Sequence, residues 1–207
     1  MEEQNHTKAV PKQPQKRCRN AAATRQAILD SARLAFTRYG YDGVGVREIA
    51  RNAGVTAMLV NRYFGSKEKL FEEVVEVTLS MPGVLRSEVL KPGWDPVTAS
   101  RDMASRLVAK STPGLTPDGI LILLRSAGNK QAATILRENA IRYLRPLVDL
   151  LPGDTPDVRA GIVLSIIAGF QLMRQIIALP ALAGTDSDQL TDQLAKLFVS
   201  LAEQESK

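Results

Sequence analysis

The chain offers little with which to run a reaction. Its single cysteine, Cys18, and single histidine, His6, both lie within the first twenty residues. Nucleophile–base pairs and zinc sites built from His or Cys therefore have no raw material in the remainder. Beyond that tail no paired acidic motif stands in for them, so an enzyme is not expected, nor a cofactor, nor a metal. The side chains able to do specific chemistry crowd instead between Val46 and Lys67, in VREIARNAGVTAMLVNRYFGSK. Arg47 and Arg62 can each bond a guanine bidentately, and Asn61 can pair with an adenine or a phosphate. Met58 and Leu59 can touch thymine methyl groups.

Such donors read a base edge only if a rigid element carries them into a groove. Ile49 and Ala50 give a first short helix its apolar face, and Ala53-Gly54 breaks it. Gly54 can take the positive φ that a sharp helix-to-helix corner needs. Val55 plugs the corner and Thr56 caps a second helix from Ala57 to about Phe64. In that helix Leu59 or Val60 and Tyr63 or Phe64 fall three to four residues apart, so one side packs and the other is free. This is a helix-turn-helix, whose second helix can enter the major groove. Ser66 caps the next helix, with Lys67 in its first turn. A cation there opposes the macrodipole unless an anion lies just beyond, so Lys67 reads as a phosphate clamp, against the plainer reading of a solvated lysine.

The charge distribution agrees. Residues 1–70 hold 13 Lys/Arg and 6 Asp/Glu, a net of +7, while residues 71–207 carry a net of −2. A basic first third on a mildly acidic remainder is the footprint of a nucleic-acid module attached to a different body. Residues 1–20 lack periodicity and hold two prolines. With Lys8, Lys12, Lys16, Arg17 and Arg19 they make a disordered cationic arm, suited to phosphates or a minor groove, or simply a solubility tail. The polar, basic start has no signal-peptide pattern. The most apolar run, Ala160 to Leu179, contains Ser165, Gln171, Arg174 and Gln175, which argues against a membrane span. A cytoplasmic, nucleoid-associated protein follows.

The rest of the chain reads as helix throughout. A first helix is expected from Thr24, with Ile28, Ala32, Ala35, Phe36 and Tyr39 on one stripe and Gly40 as its stop. The helix at Lys67 runs to about Met81. Further helices are expected near 95–110, 117–128, 131–150, 156–178 and 188–204. Asp95-Pro96, Thr116-Pro117 and Thr155-Pro156 each pair a cap with proline at the first helical position. The fold class is all-α. A basic arm (1–20) precedes an N-terminal three-helix helix-turn-helix domain (21–66) and a larger C-terminal helical ligand-binding and dimerisation domain (67–207). In the last two helices Gly161, Ser165, Ala168 and Gly169 permit close backbone approach, and Leu190, Leu194, Leu197, Phe198 and Leu201 recur at helical spacing. Two such helices from each of two chains would form a four-helix bundle; a buried intrachain pair is the alternative.

Residues Thr24 to Phe71 resemble the tetracycline-repressor (TetR) family of bacterial transcriptional regulators. The likeness rests on Phe36…Tyr39-Gly40, Arg47-Glu48-Ile49-Ala50, Ala53-Gly54-Val55 and Phe64-Gly65-Ser66-Lys67. The resemblance implies a homodimer on a palindromic double-stranded operator, released when a small molecule enters the larger domain. By position it places Arg47, Thr56, Ala57, Met58 and Leu59 toward the groove, followed by Asn61, Arg62 and Tyr63, with Lys67 on phosphate. The family's commonest pattern has a small residue at 58, threonine at 59 and tyrosine at 61. Met58, Leu59 and Asn61 depart from it, so base preference does not transfer.

Two other readings compete: a regulator answering to a protein partner or to nothing, and a helical enzyme. For an unknown effector, Trp94, Met103, Leu107, Leu121, Leu124, Ile141 and Tyr143 are candidate cavity residues, though each also suits plain core. Arg125, directly after GILILL, either points inward to a polar ligand or sits at a helix end in a salt bridge. The helix from Lys67 joins the two domains and is the natural lever between them.

Overall fold

The computed structural model describes residues 15–80, 83–85, 88–115 and 118–203. Among these, the regular elements are all helical: α1 (Gln15–Tyr39), α2 (Val46–Asn52), α3 (Ala57–Phe64), α4 (Lys67–Ser80), α5 (Pro96–Lys110), α6 (Asp118–Ser126), α7 (Lys130–Val148), α8 (Pro156–Gln171), α9 (Pro180–Ala183) and α10 (Ser187–Ala202). A π-helical turn, Leu172–Ile176, extends α8.

Helix α1 begins at Gln15, well before Thr24. Part of the expected arm is therefore helical, while Lys8 and Lys12 lie outside the described residues. Its stripe packs as read at Ile28, Ala32, Ala35 and Phe36, but Tyr39 is 45% exposed. Gly40, at φ +70°, turns the chain so that Tyr41 enters the core in its place. Tyr41 lies edge-on to Phe71 at 4.9 Å, and Phe36 meets Phe71 at 5.0 Å. Such edge-to-face pairs suit the ring quadrupole.

Caps explain most helix starts. Thr56 accepts from the Leu59 N–H at 3.3 Å, Ser66 from that of Lys69 at 3.3 Å, and Asp95 from that of Thr98 at 2.9 Å. Thr155 precedes α8 but makes no side-chain cap bond, and Thr116-Pro117 lies outside the described residues.

Two apolar cores hold the chain. The first joins α1, α2 and α3 to one face of α4 (Leu70, Phe71, Val74, Val75) and runs on to Ile122, Ala132 and Leu136. It crosses the boundary drawn at residue 66, so the three-helix head is welded to the body rather than tethered. The second core collects α5, the end of α7, α8 and α10. Leu190, Leu194 and Phe198 are buried there against α5 within a single chain, and Leu201 packs on the same cluster. Of the expected α10 interface leucines only Leu197, 51% exposed, faces outward.

Candidate nucleic-acid interface and effector cavity

Helix α3 buries Val60 and Phe64, which fixes its rotation on the head. The opposite face is then set by the 3.6-residue period. Thr56, Met58, Asn61 and Arg62 are exposed, Met58 at 80%, while Ala57, Leu59 and Tyr63 are half-buried. Arg47 is exposed on α2. Neither Arg47 nor Arg62 joins an ion pair among the described residues, in contrast to Arg25, which bonds Glu73 at 2.6 Å and stacks over Phe64. A solvated arginine already free of carboxylates can meet a phosphate or a guanine without first breaking a bond.

Lys67 is neither a free surface lysine nor deeply buried. Its Nζ sits 4.4 Å from the centre of the Tyr41 ring, a cation–π contact that holds the ammonium beside the N-terminus of α4. The Tyr41 hydroxyl donates to Glu68 at 2.9 Å. Burial first, then Glu68, pushes the phenol above the ordinary tyrosine range. Glu68 is in turn held below the usual glutamate range by the Ser66 hydroxyl, by its own N–H and by Tyr41.

A cavity of about 300 Å³ opens between the two cores, walled by the end of α4, by α6, α7 and α8, and by the last residue of α5. Of the eight residues expected to line a pocket, Tyr143 does so. Met103 and Leu107 are buried in the second core and Trp94 packs against it. Leu121 is half-buried away from the cavity, and Leu124 and Ile141 are 51% and 60% exposed. The cause is helix register: an unbroken run such as GILILL carries no polar residue to show which side is inward. Arg125 does not enter the cavity either. It is exposed, and its guanidinium donates to the Thr37 carbonyl on α1.

Sequence reading missed Thr78, Gly83, Asn139 and Gln171, all in the wall. A signal was present for one of them. Ala132, Leu136, Asn139 and Tyr143 follow one helical stripe of α7, so Asn139 is a polar residue on an inward face.

Residues 28–74 match the model for bacterial regulatory proteins of the tetR family, and residues 98–201 match the tetracyclin repressor-like C-terminal domain. The chain belongs to the TetR family. That family is one of bacterial regulatory proteins. Similar proteins include the regulator AcrR of Shigella flexneri, 38% identical over 85 residues, which are 40% of this chain and 39% of AcrR. The regulator BetI of Rhizobium meliloti is 29% identical over 125 residues, 59% of this chain and 60% of BetI. The chain thus aligns with less than two thirds of either relative. Among solved structures, NalD of Pseudomonas aeruginosa, the secondary repressor of the MexAB-OprM multidrug efflux pump, superposes with a TM-score of 0.62. It is 23% identical, with 91% of this chain and 100% of that one covered. At that identity the likeness speaks for the fold.

Proposed function

We propose that the protein is a homodimeric repressor of transcription that grips a palindromic operator and lets go when a small molecule enters the body. The observation that carries this reading is the span of α4. At one end Ser66 and Lys67 follow directly on the recognition helix, and at the other Thr78 and Leu79 wall the cavity. Fourteen residues of helix cover about 20 Å. A molecule that widens the cavity pushes on the same rigid rod that aims α3.

In this reading Arg47, Thr56, Ala57, Met58, Leu59, Asn61, Arg62 and Tyr63 make the groove surface, and Lys67 adds its charge to the free N–H groups of α4 to hold a phosphate. Two copies are needed because one eight-residue helix reads too few base pairs. The outer face of α8 supplies the contact. Val158, Ile162 and Met173 are exposed there, and nothing lies within 4 Å of a Cβ built on Gly161 or Gly169. Ser165, on the same side, donates to the Gly161 carbonyl at 2.9 Å, which leaves no hydroxyl proton seeking a partner. Ala168 turns to the cavity instead. Helix and π turn together, Pro156–Ile176, are apolar enough to cross a membrane by length and composition, yet only 22% of that window is buried. A second α8 is the partner such a face requires. The site of action is the cytoplasmic nucleoid.

Selection of genomic fragments on the purified protein tests the reading. The enriched sequences are expected to be inverted repeats whose half-sites lie about 34–36 Å apart, bound by two copies per repeat. A compound that occupies the cavity should then release them. A monomer indifferent to duplex DNA in dilute buffer would overturn it.

A further inference from the structure

The cavity wall carries a message about what fills it. Most of it is aliphatic: Leu79, Val84, Ile120, Leu123, Leu136, Leu164 and Ile167 among others. Among the described residues lining it none is acidic, and the one charged residue is Lys110, exposed where α5 ends. Polar side chains of the wall keep bonding capacity unused. Asn139 is 3% exposed, and its carboxamide makes no hydrogen bond among the described residues. Thr78 Oγ1 is buried and unpartnered. The Tyr143 hydroxyl accepts from the Leu85 N–H at 3.2 Å, and burial raises its pKa, so its proton remains to be donated. Gly83 makes room for that hydroxyl, since a Cβ there would lie 2.2 Å from it.

A carboxamide on a buried residue with no protein partner is costly. Such a group is retained where something else completes it. Its NH₂, the phenol and the Lys110 ammonium all donate, so an oxygen acceptor is the one group that engages all three, while Asn139 Oδ1 stays able to accept. A positive charge would find no carboxylate here and would be repelled by Lys110.

We propose that the effector is a lipophilic molecule with a single carbonyl or carboxylate head, bound head-first to Asn139 and Tyr143, and that lipophilic cations are excluded. This rests on the ligand-released reading above, and names its ligand. The shared chemistry is the acceptor oxygen; whether the head is ionised decides only if Lys110 takes part.

Calorimetric titration of the full-length protein without DNA tests it with decanoate, methyl decanoate and decyltrimethylammonium. At least one of the first two should bind, and the cation should bind ten-fold more weakly or not at all. Asn139→Leu, similar in volume, should weaken the acceptor probe about ten-fold or more. Tyr143→Phe, which removes a single oxygen, gives the same reading should the first variant fail to fold. Lys110→Met should weaken decanoate alone if the head is a carboxylate, and should alter neither probe if it is a neutral carbonyl. Equal affinity for the cation, no binding of either acceptor probe, or affinity unchanged in Asn139→Leu and Tyr143→Phe would overturn the inference. Tight binding that leaves the operator occupied would instead remove the release mechanism and keep the ligand class.

Discussion

The backbone N–H of Tyr41 donates to Ser126 Oγ at 3.0 Å, and both residues are buried. This bond ties the turn that closes α1 to the last residue of α6, and so the head to a wall of the cavity. Around it Asn129 donates to Asp42 at 2.8 Å, and Arg125 to the Thr37 carbonyl. Gly40 permits the approach, because a Cβ on it would fall 2.3 Å from the Arg125 carbonyl oxygen. Ser126→Ala leaves the Tyr41 N–H buried without an acceptor and should lower stability by about 1–3 kcal/mol. Urea titration measures this as a drop in midpoint at constant slope. An unmoved midpoint would mean that another group takes up the N–H.

That seam was not legible in the sequence, and the reason is physical. Helix starts and stops are local: Gly40, Gly54, Thr56, Ser66 and Asp95 act within a turn of themselves, and each behaves as its type requires. The exposed face of α3 was nearly as plain, because Val60 and Phe64 leave one rotation open to the helix. The cavity depends on which side of α6 and α7 meets α8, and that is set by packing between segments distant in the chain. Leu124 and Ile141, being apolar, suit cavity lining or plain core by sequence, yet both are exposed. Arg125 suits either an inward charge or a helix-end arginine by sequence, and it is a clasp between α6 and α1. The α10 leucines showed the right period and the wrong partner, since a stripe does not say whether its complement is α5 or a second chain.

Lys67 sits on the Tyr41 ring, 4.4 Å from its centre, at the amino end of α4. If that platform aims the ammonium at a phosphate, Lys67→Ala should lower the slope of log affinity against log salt by about one unit. Tyr41→Phe keeps an aromatic face and should leave the slope alone. Fluorescence anisotropy on a selected operator at several salt concentrations provides the measurement. An identical slope for Lys67→Ala would reduce the contact to local packing.

Glu68 gives the head a defined response to acid. Its folded pKa lies below the ordinary value, because Ser66, its own N–H and Tyr41 all favour the carboxylate. A depressed folded value stabilises the fold at every pH above the unfolded pKa, and the benefit disappears as pH falls through the folded one. The stability difference between the native chain and Glu68→Gln should therefore stay constant from neutrality down to the ordinary glutamate range and shrink below it. Denaturant titrations across that range check the sign. A difference that grows on acidification would contradict the hydrogen bonding around Ser66.

The exposed face of α8 makes the last prediction. Ile162 is 42% exposed, on the same side as Val158 and Met173, so a change there alters the surface far more than the core. Ile162→Glu would place a carboxylate where two apolar helices meet, and the nearest cation of α8, Arg159, is already committed to the Leu201 and Pro152 carbonyls. Sedimentation velocity should then show monomers at concentrations where the native protein sediments as a dimer, while the helical circular dichroism signal is retained. Val97→Glu, on an equally open position of α5 at 55% exposure, is the control and should leave the dimer whole. Operator affinity should fall with the loss of the second half-site contact in Ile162→Glu and not in Val97→Glu. Dimers that survive Ile162→Glu, together with full operator affinity, would move the contact away from α8 and leave its apolar face to another partner.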